Sequence, residues 1–127
     1  MIKGSLSLLM ILMATLFGAC AVPTSISVAE ISAVKGKLTF IDFYSDECPN
    51  CMVMVPIVQG LETRYHDQMM FQFLNIDTDG KSLFDSMGLR GNPIFLILQT
   101  DGTVVYKGYG KLPELSLDGA IRKAIGV

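Results

Sequence analysis

Between residues 38 and 65 the chain passes from a strand-like run, through two cysteines spaced Cys-x-x-Cys, into a helical pattern, and few folds accommodate that order. Leu38 to Tyr44 is dense in β-branched and aromatic residues, with a single carboxylate, Asp42, at its middle, and reads as a buried strand. Cys48 and Cys51 lie just past its end. From Pro49 to about Tyr65 the pattern is helical, and Pro56 inside it removes one intrahelical bond, which predicts a kinked helix.

Two cysteines in the first turn of a helix share a face and lie within reach of a disulfide. With Cys48 as the N-cap and Pro49 as the first helical residue, the missing proline N–H costs nothing, and the amides of Asn50 and Cys51 face a Cys48 thiolate. The thiolate is the attacking species in disulfide exchange. Cys48 is therefore expected to be the nucleophile, and the more enclosed Cys51 the residue that resolves the mixed disulfide. Asp46 and Glu47 oppose the anion, but at around 8 Å in water each costs only about 0.5 kcal/mol. A helix terminus supplies roughly 0.3 to 2 kcal/mol, so the balance modestly favours the thiolate. A static bridge, half of a zinc site and two inert buried thiols are the competing readings. A static bridge over so short a loop restrains the unfolded chain little. Zinc needs two further ligands, while His66 is the only histidine and Cys20 the only other cysteine. No metal is expected, and no cofactor beyond a redox-active disulfide between Cys48 and Cys51.

The remaining pattern supplies a scaffold for this centre. Ser27-x-x-Glu30 is a capping box, and Gly36 stands where a helix should stop, which predicts a short first helix. Phe71 to Ile76 reads as a strand, and Gly80 to Met87 as a short helix ending at Gly88, after which Gly91-Asn92-Pro93 breaks the chain. Ile94 to Leu98 and Thr103 to Tyr106 flank Thr100-Asp101-Gly102, a strong hairpin signal. Pro113 to Ile125 reads as the last helix, with Arg122 and Lys123 in its final turn and Gly126 beyond. The order α-β-α-β-α-β-β-α predicts parallel pairing early in the chain and an antiparallel hairpin at its end. Met52 and Met54 suit either an adaptable contact surface or core filling. Met69 and Met70 read as packing residues at a strand entrance, and His66 as a surface histidine with no assigned role.

The first residues carry a different message. Lys3 is followed by an uncharged apolar run from Leu6 to Phe17 and by the small residues Gly18-Ala19-Cys20-Ala21, the pattern of an export signal. Leu16 to Cys20 is similar to a bacterial lipobox, which makes Cys20 the candidate lipidated residue. Cleavage after Ala21 and an uncleaved membrane helix are the alternatives, since Gly4 to Pro23 is uncharged and roughly the 20 residues a bilayer requires. All three export the domain to the cell envelope or periplasmic side. The expected division is a lipoprotein-type signal over 1–19, a spacer over 20–26 and one domain over 27–127. A chain of 127 residues supports only one core. Losing Lys3 takes the formal charge from -2 to -3, and with no basic stripe nucleic acid is not an expected partner.

Ile41-Asp42-Phe43-Tyr44-Ser45-Asp46-Glu47-Cys48-Pro49-Asn50-Cys51, with Pro56 beyond, resembles the thioredoxin superfamily. Asn75-Ile76-Asp77 is similar to the family's third-strand segment, Gly88 to Pro93 to its cis-proline loop, and Asp101-Gly102 with Gly110 to its terminal hairpin. The resemblance covers roughly residues 28 to 125. It implies an α/β thioredoxin-like fold, a central mixed sheet flanked by helices on both faces. It also implies that Cys48 attacks, that Cys51 resolves, that Asp42 is buried behind them, and that Pro93 is cis and faces the cysteines. An Asp within an apolar strand is costly to ionise, so Asp42 could accept the Cys51 proton during resolution. A purely structural hydrogen-bonded Asp is the alternative. Substrate protein thiols or disulfides are expected to meet Pro49, Asn50, Asn92 and Pro93. The sequence departs from the family at Glu47 and Tyr44, which replace tryptophans, at Phe73, where a lysine often faces the buried Asp, and at Pro49-Asn50, which is not the Gly-Pro of thioredoxins and leaves the direction of electron flow open. The activity implied is thiol–disulfide exchange on envelope proteins, with reduction the preferred direction and a membrane partner as electron donor. A disulfide oxidant and a non-catalytic, chaperone-like binding module are the rivals.

Overall fold

The computed structural model describes residues 36–127. The signal segment, Cys20, the spacer and the helix expected after Ser27 lie outside the described residues. Within them the elements run β1 (Thr39–Tyr44), α1 (Pro49–Tyr65), β2 (Met70–Asn75), α2 (Lys81–Ser86), β3 (Ile94–Leu98), β4 (Val104–Tyr109) and α3 (Glu114–Ile125). This is the order read from the sequence. The strand order is β2-β1-β3-β4, with β1 parallel to β2 and antiparallel to β3, and β3 antiparallel to β4.

β1 is thus an interior strand, covered on both faces, which is why apolar residues occupy both of its faces with Asp42 the one carboxylate among them. Strand alternation sends Phe40 to one face, where it packs with Phe95 and Ile97 beneath Met54, Val58 and Leu61 of α1 and Leu117 and Ile121 of α3. Ile41 and Phe43 turn to the other face with Ile94, Leu96 and Leu98, under Leu83 and Phe84 of α2. Helices therefore flank both faces. Phe40 stacks on Phe71 with ring centroids 5.0 Å apart, and Phe43 meets Phe84 edge-on at 5.5 Å. Met54 is wholly buried and Met52 is 69% exposed, so the two take opposite roles on one helix.

Several boundaries differ from the sequence reading, most by one residue, and two of the shifts have a visible cause. β2 begins one residue earlier, because the Met70 amide donates to the Leu38 carbonyl at 2.8 Å and extends the ladder backwards. β4 continues through Gly108 to Tyr109 where propensity suggested a stop at Tyr106. Gly108 is tolerated for packing: a Cβ there would come within 2.6 Å of Leu112 Cδ1 and 2.8 Å of the Tyr106 hydroxyl. α3 ends as expected, with Gly126 left-handed at φ 83° and the Val127 amide donating back to the Arg122 carbonyl at 2.9 Å. On the outer surface, Arg64 of α1 bridges Asp118 (2.6 Å) and Glu114 (3.1 Å) of α3, and the Tyr65 hydroxyl donates to the same Asp118 oxygen at 2.7 Å.

Candidate functional site

β1 delivers the chain at its C-terminal end into Ser45-Asp46-Glu47, and α1 starts at once. Cys48 takes the N-cap in an extended conformation (φ −106°, ψ 105°), with Pro49 at the helix start. The Cys51 amide donates to Cys48 Sγ at 3.1 Å, so an otherwise orphan N–H of the first turn is aimed at that sulfur. The two cysteines are joined in a disulfide, their Cα atoms 5.2 Å apart. In this bridged form both are enclosed, Cys48 7% and Cys51 5% exposed, so the contrast in enclosure expected from the sequence is slight. Asp46, Glu47, Pro49 and Asn50 are exposed around them.

Asp42 lies on the α1 face of β1, two positions along from Phe40. It is 5% exposed, and its Oδ1 has no hydrogen-bond partner. Desolvation pushes the carboxyl up from 3.8 to about 7. A structural hydrogen bond, the alternative reading, is not what Oδ1 makes. Asp42 opens instead onto a cavity of about 360 Å³, shared with Tyr44, Ser45, Asp46, Cys51, Met52, Val55, Gln59 and Phe73. Cys51 lines this cleft and Cys48 does not, so the carboxyl communicates with the second cysteine.

The loop before β3 closes the same end of the sheet. Phe43 pairs with Ile94, so the register brings Pro93 to the level at which β1 releases the chain toward Cys48. The Asn92–Pro93 peptide bond is cis. The Asn92 side-chain amide donates to the Ser45 hydroxyl, tying this loop to the one before the cysteines, and the Gly110 amide donates to the Pro93 carbonyl at 2.8 Å. Pro93 is buried and Asn92 half-buried.

The structure gathers the cysteines, Asp42 and Pro93, all singled out from the sequence, at one end of the sheet, and adds a cleft wall that the sequence reading did not name. Met52, Val55 and Gln59 recur at helical spacing on a face of α1 distinct from the Met54, Val58 and Leu61 core face, and that second stripe was the available signal. The link from Ser45 to Asn92 spans a sequence separation of 47 and leaves no local trace. His66 lies away from the cleft, exposed, with Nε2 3.2 Å from Asp67. Among the described residues no group of three or more His, Cys, Asp or Glu could hold a metal ion.

Comparisons with known proteins agree with this geometry. The chain is 34% identical over 94 residues to the chloroplastic thioredoxin-like protein HCF164 of Oryza sativa subsp. japonica, covering 72% of this chain and 36% of that one. It is 32% identical over 81 residues to a thiol:disulfide interchange protein TxlA homolog of Synechocystis, covering 62% of this chain and 44% of that one. It thus spans less than half the length of these relatives. Fasciola hepatica thioredoxin superposes with a TM-score of 0.65 at 22% identity, over 76% of this chain and 89% of the other, and shares the fold. The thioredoxin family model matches residues 27–123, and the chain belongs to the thioredoxin family.

Proposed function

We propose that the chain is a thiol–disulfide oxidoreductase acting on protein thiols and disulfides through Cys48 and Cys51. The observation that carries this is the Cys48–Cys51 disulfide at the start of α1, with the Cys51 amide aimed at the Cys48 sulfur and a buried, unpartnered carboxyl beside Cys51. In the reduced chain the helix terminus stabilises a Cys48 thiolate. That thiolate attacks a substrate disulfide, forming a mixed disulfide and expelling one substrate thiolate. Asp42, ionised, takes the Cys51 proton. Cys51 then attacks Cys48 Sγ, releasing the second substrate sulfur and closing the bridge, so two electrons pass to the substrate. Pro49, Asn50, Asn92 and Pro93 form the surface against which the substrate chain lies, at the end of the sheet that carries the cysteines.

Reduction is the direction we assign, with a membrane electron donor reopening the bridge, and we read residues 1–19 as a lipoprotein-type signal followed by Cys20, which supports an exported domain. Tethering is assigned to a lipid on Cys20 because Leu16 to Cys20 is similar to a lipobox; among the described residues no helix is long and apolar enough to cross a membrane. Cys48→Ser should abolish exchange, and Cys51→Ala should accumulate mixed disulfides that a reductant dissolves. A binding module would instead keep its function in Cys48→Ser. Equilibration with glutathione buffers reads the direction: a strongly oxidising couple reverses the electron flow assigned here. Cys20→Ala should release the protein from membranes.

A further inference from the structure

The cleft beside Asp42 holds more than the exchange step uses. A buried carboxylate needs a donor or a cation, and Oδ1 has neither. The ionisable groups lining the cavity besides Asp42 are Tyr44, Asp46 and, once reduced, Cys51; α1 otherwise contributes Met52, Val55 and Gln59, and β2 contributes Phe73. Phe95 pairs with Asp42 from β3. None of these is cationic. The walls are apolar, and the mouth is open, with Met52 69%, Val55 45% and Phe73 38% exposed. An occupant that satisfies both parts has an aliphatic stem for Met52, Val55 and Phe73 and a positive end for the carboxylate. Aromatic rings at Tyr44 and Phe73 favour the same charge. An anion would meet Asp42 and Asp46, and a wholly apolar chain would leave the carboxyl unpaired.

We propose that this cleft is a subsite for a primary alkylammonium group, presented as a lysine side chain of the protein whose sulfur Cys48 engages. The inference rests on the exchange reading and narrows its substrates to those with a lysine near the reacting cysteine. Seated there, the ammonium holds Asp42 ionised, the form that accepts the Cys51 proton.

The test begins with the oxidised full chain in mild detergent, in which Cys51 has no proton to lose, titrated with n-pentylammonium and with neutral 1-pentanol while the Met52 and Val55 methyl resonances are followed. Because the cation binds only ionised Asp42, its affinity should rise about tenfold from pH 6 to pH 8, whereas pentanol should show no pH dependence. Asp42→Asn should remove the preference for the cation. Phe73→Lys should abolish pentylammonium binding by supplying an ammonium from within. A flat pH profile, equal binding of the two probes at pH 8, or pentylammonium binding untouched by both variants overturns the proposal. A second arm measures kcat/KM for disulfide peptides in which one lysine is moved along the positions flanking the cysteine, each against a norleucine control. At least one position should favour lysine several-fold at pH 8 and lose that advantage at pH 6. Exchange at equal rates for every pair removes the subsite and leaves the oxidoreductase reading intact. Absence of exchange with any peptide removes that reading, and the pentylammonium titration still decides the cleft.

Discussion

Replacing Asp42 by Asn should turn a protein whose stability falls with rising pH into one whose stability does not. The carboxyl is 5% exposed with an unpartnered oxygen, and burial raises it from 3.8 to about 7. The sign follows from proton counting. Between those two values the folded chain holds a proton that the unfolded chain has released, so stability is greatest below 3.8 and declines until the folded group has ionised near 7. At about 1.4 kcal/mol per pH unit the full loss is on the order of 4 kcal/mol, of which roughly 2 to 3 kcal/mol falls between pH 5 and pH 8. For a small domain this is a fall in urea midpoint of about 1 to 2 M. The measurement is urea unfolding of the oxidised chain, without reductant, at several pH values across that interval. Asp118 and Asp101, whose carboxyls are held below the ordinary value by hydrogen bonds, affect stability only at lower pH, outside this window. Asp42→Asn should flatten the profile and be the more stable protein at pH 8. Wild-type stability that is level from pH 5 to pH 8, or a variant with the same decline, refutes the argument that desolvation governs this carboxyl.

Phe73→Lys places an ammonium on the strand position paired with Asp42 and should recover most of the stability lost between pH 5 and pH 8, read by the same unfolding curves. Gly80→Ala should destabilise by about 1 to 3 kcal/mol, since its Cβ would lie 2.8 Å from Leu74 Cβ and 2.9 Å from the Asn75 carbonyl oxygen. Gly60→Ala, on α1 with open space around it, should instead stabilise by about 0.5 to 1 kcal/mol; opposite shifts in urea midpoint check the pair. The Tyr65 hydroxyl, then Arg64, hold the Asp118 carboxyl below its ordinary value. The clamp between α1 and α3 therefore contributes stability above that ordinary value and loses it as pH falls through the depressed one. Tyr65→Phe should shrink this acid-side loss, seen as a shallower fall in midpoint below pH 4.

What could be read from the residues alone was whatever depends on near neighbours along the chain. The strand over Leu38 to Tyr44, the N-cap placement of Cys48 before Pro49, the Asp101-Gly102 turn and the left-handed Gly126 are each fixed by backbone preferences within a few residues. Those determine the element order and put two sulfurs within bonding distance. Assembly decided the rest. Nothing local says that β1 lies between β2 and β3, yet that neighbourhood buries Asp42 and raises its carboxyl. Nor does any short-range rule bring Asn92 to Ser45, or separate exposed Met52 from buried Met54 so that the former joins Val55 and Phe73 around the carboxyl. Burial and cavity shape are properties of surfaces that meet only after the chain has closed on itself, and these set the proton affinity of Asp42 and the form of the cleft beside Cys51.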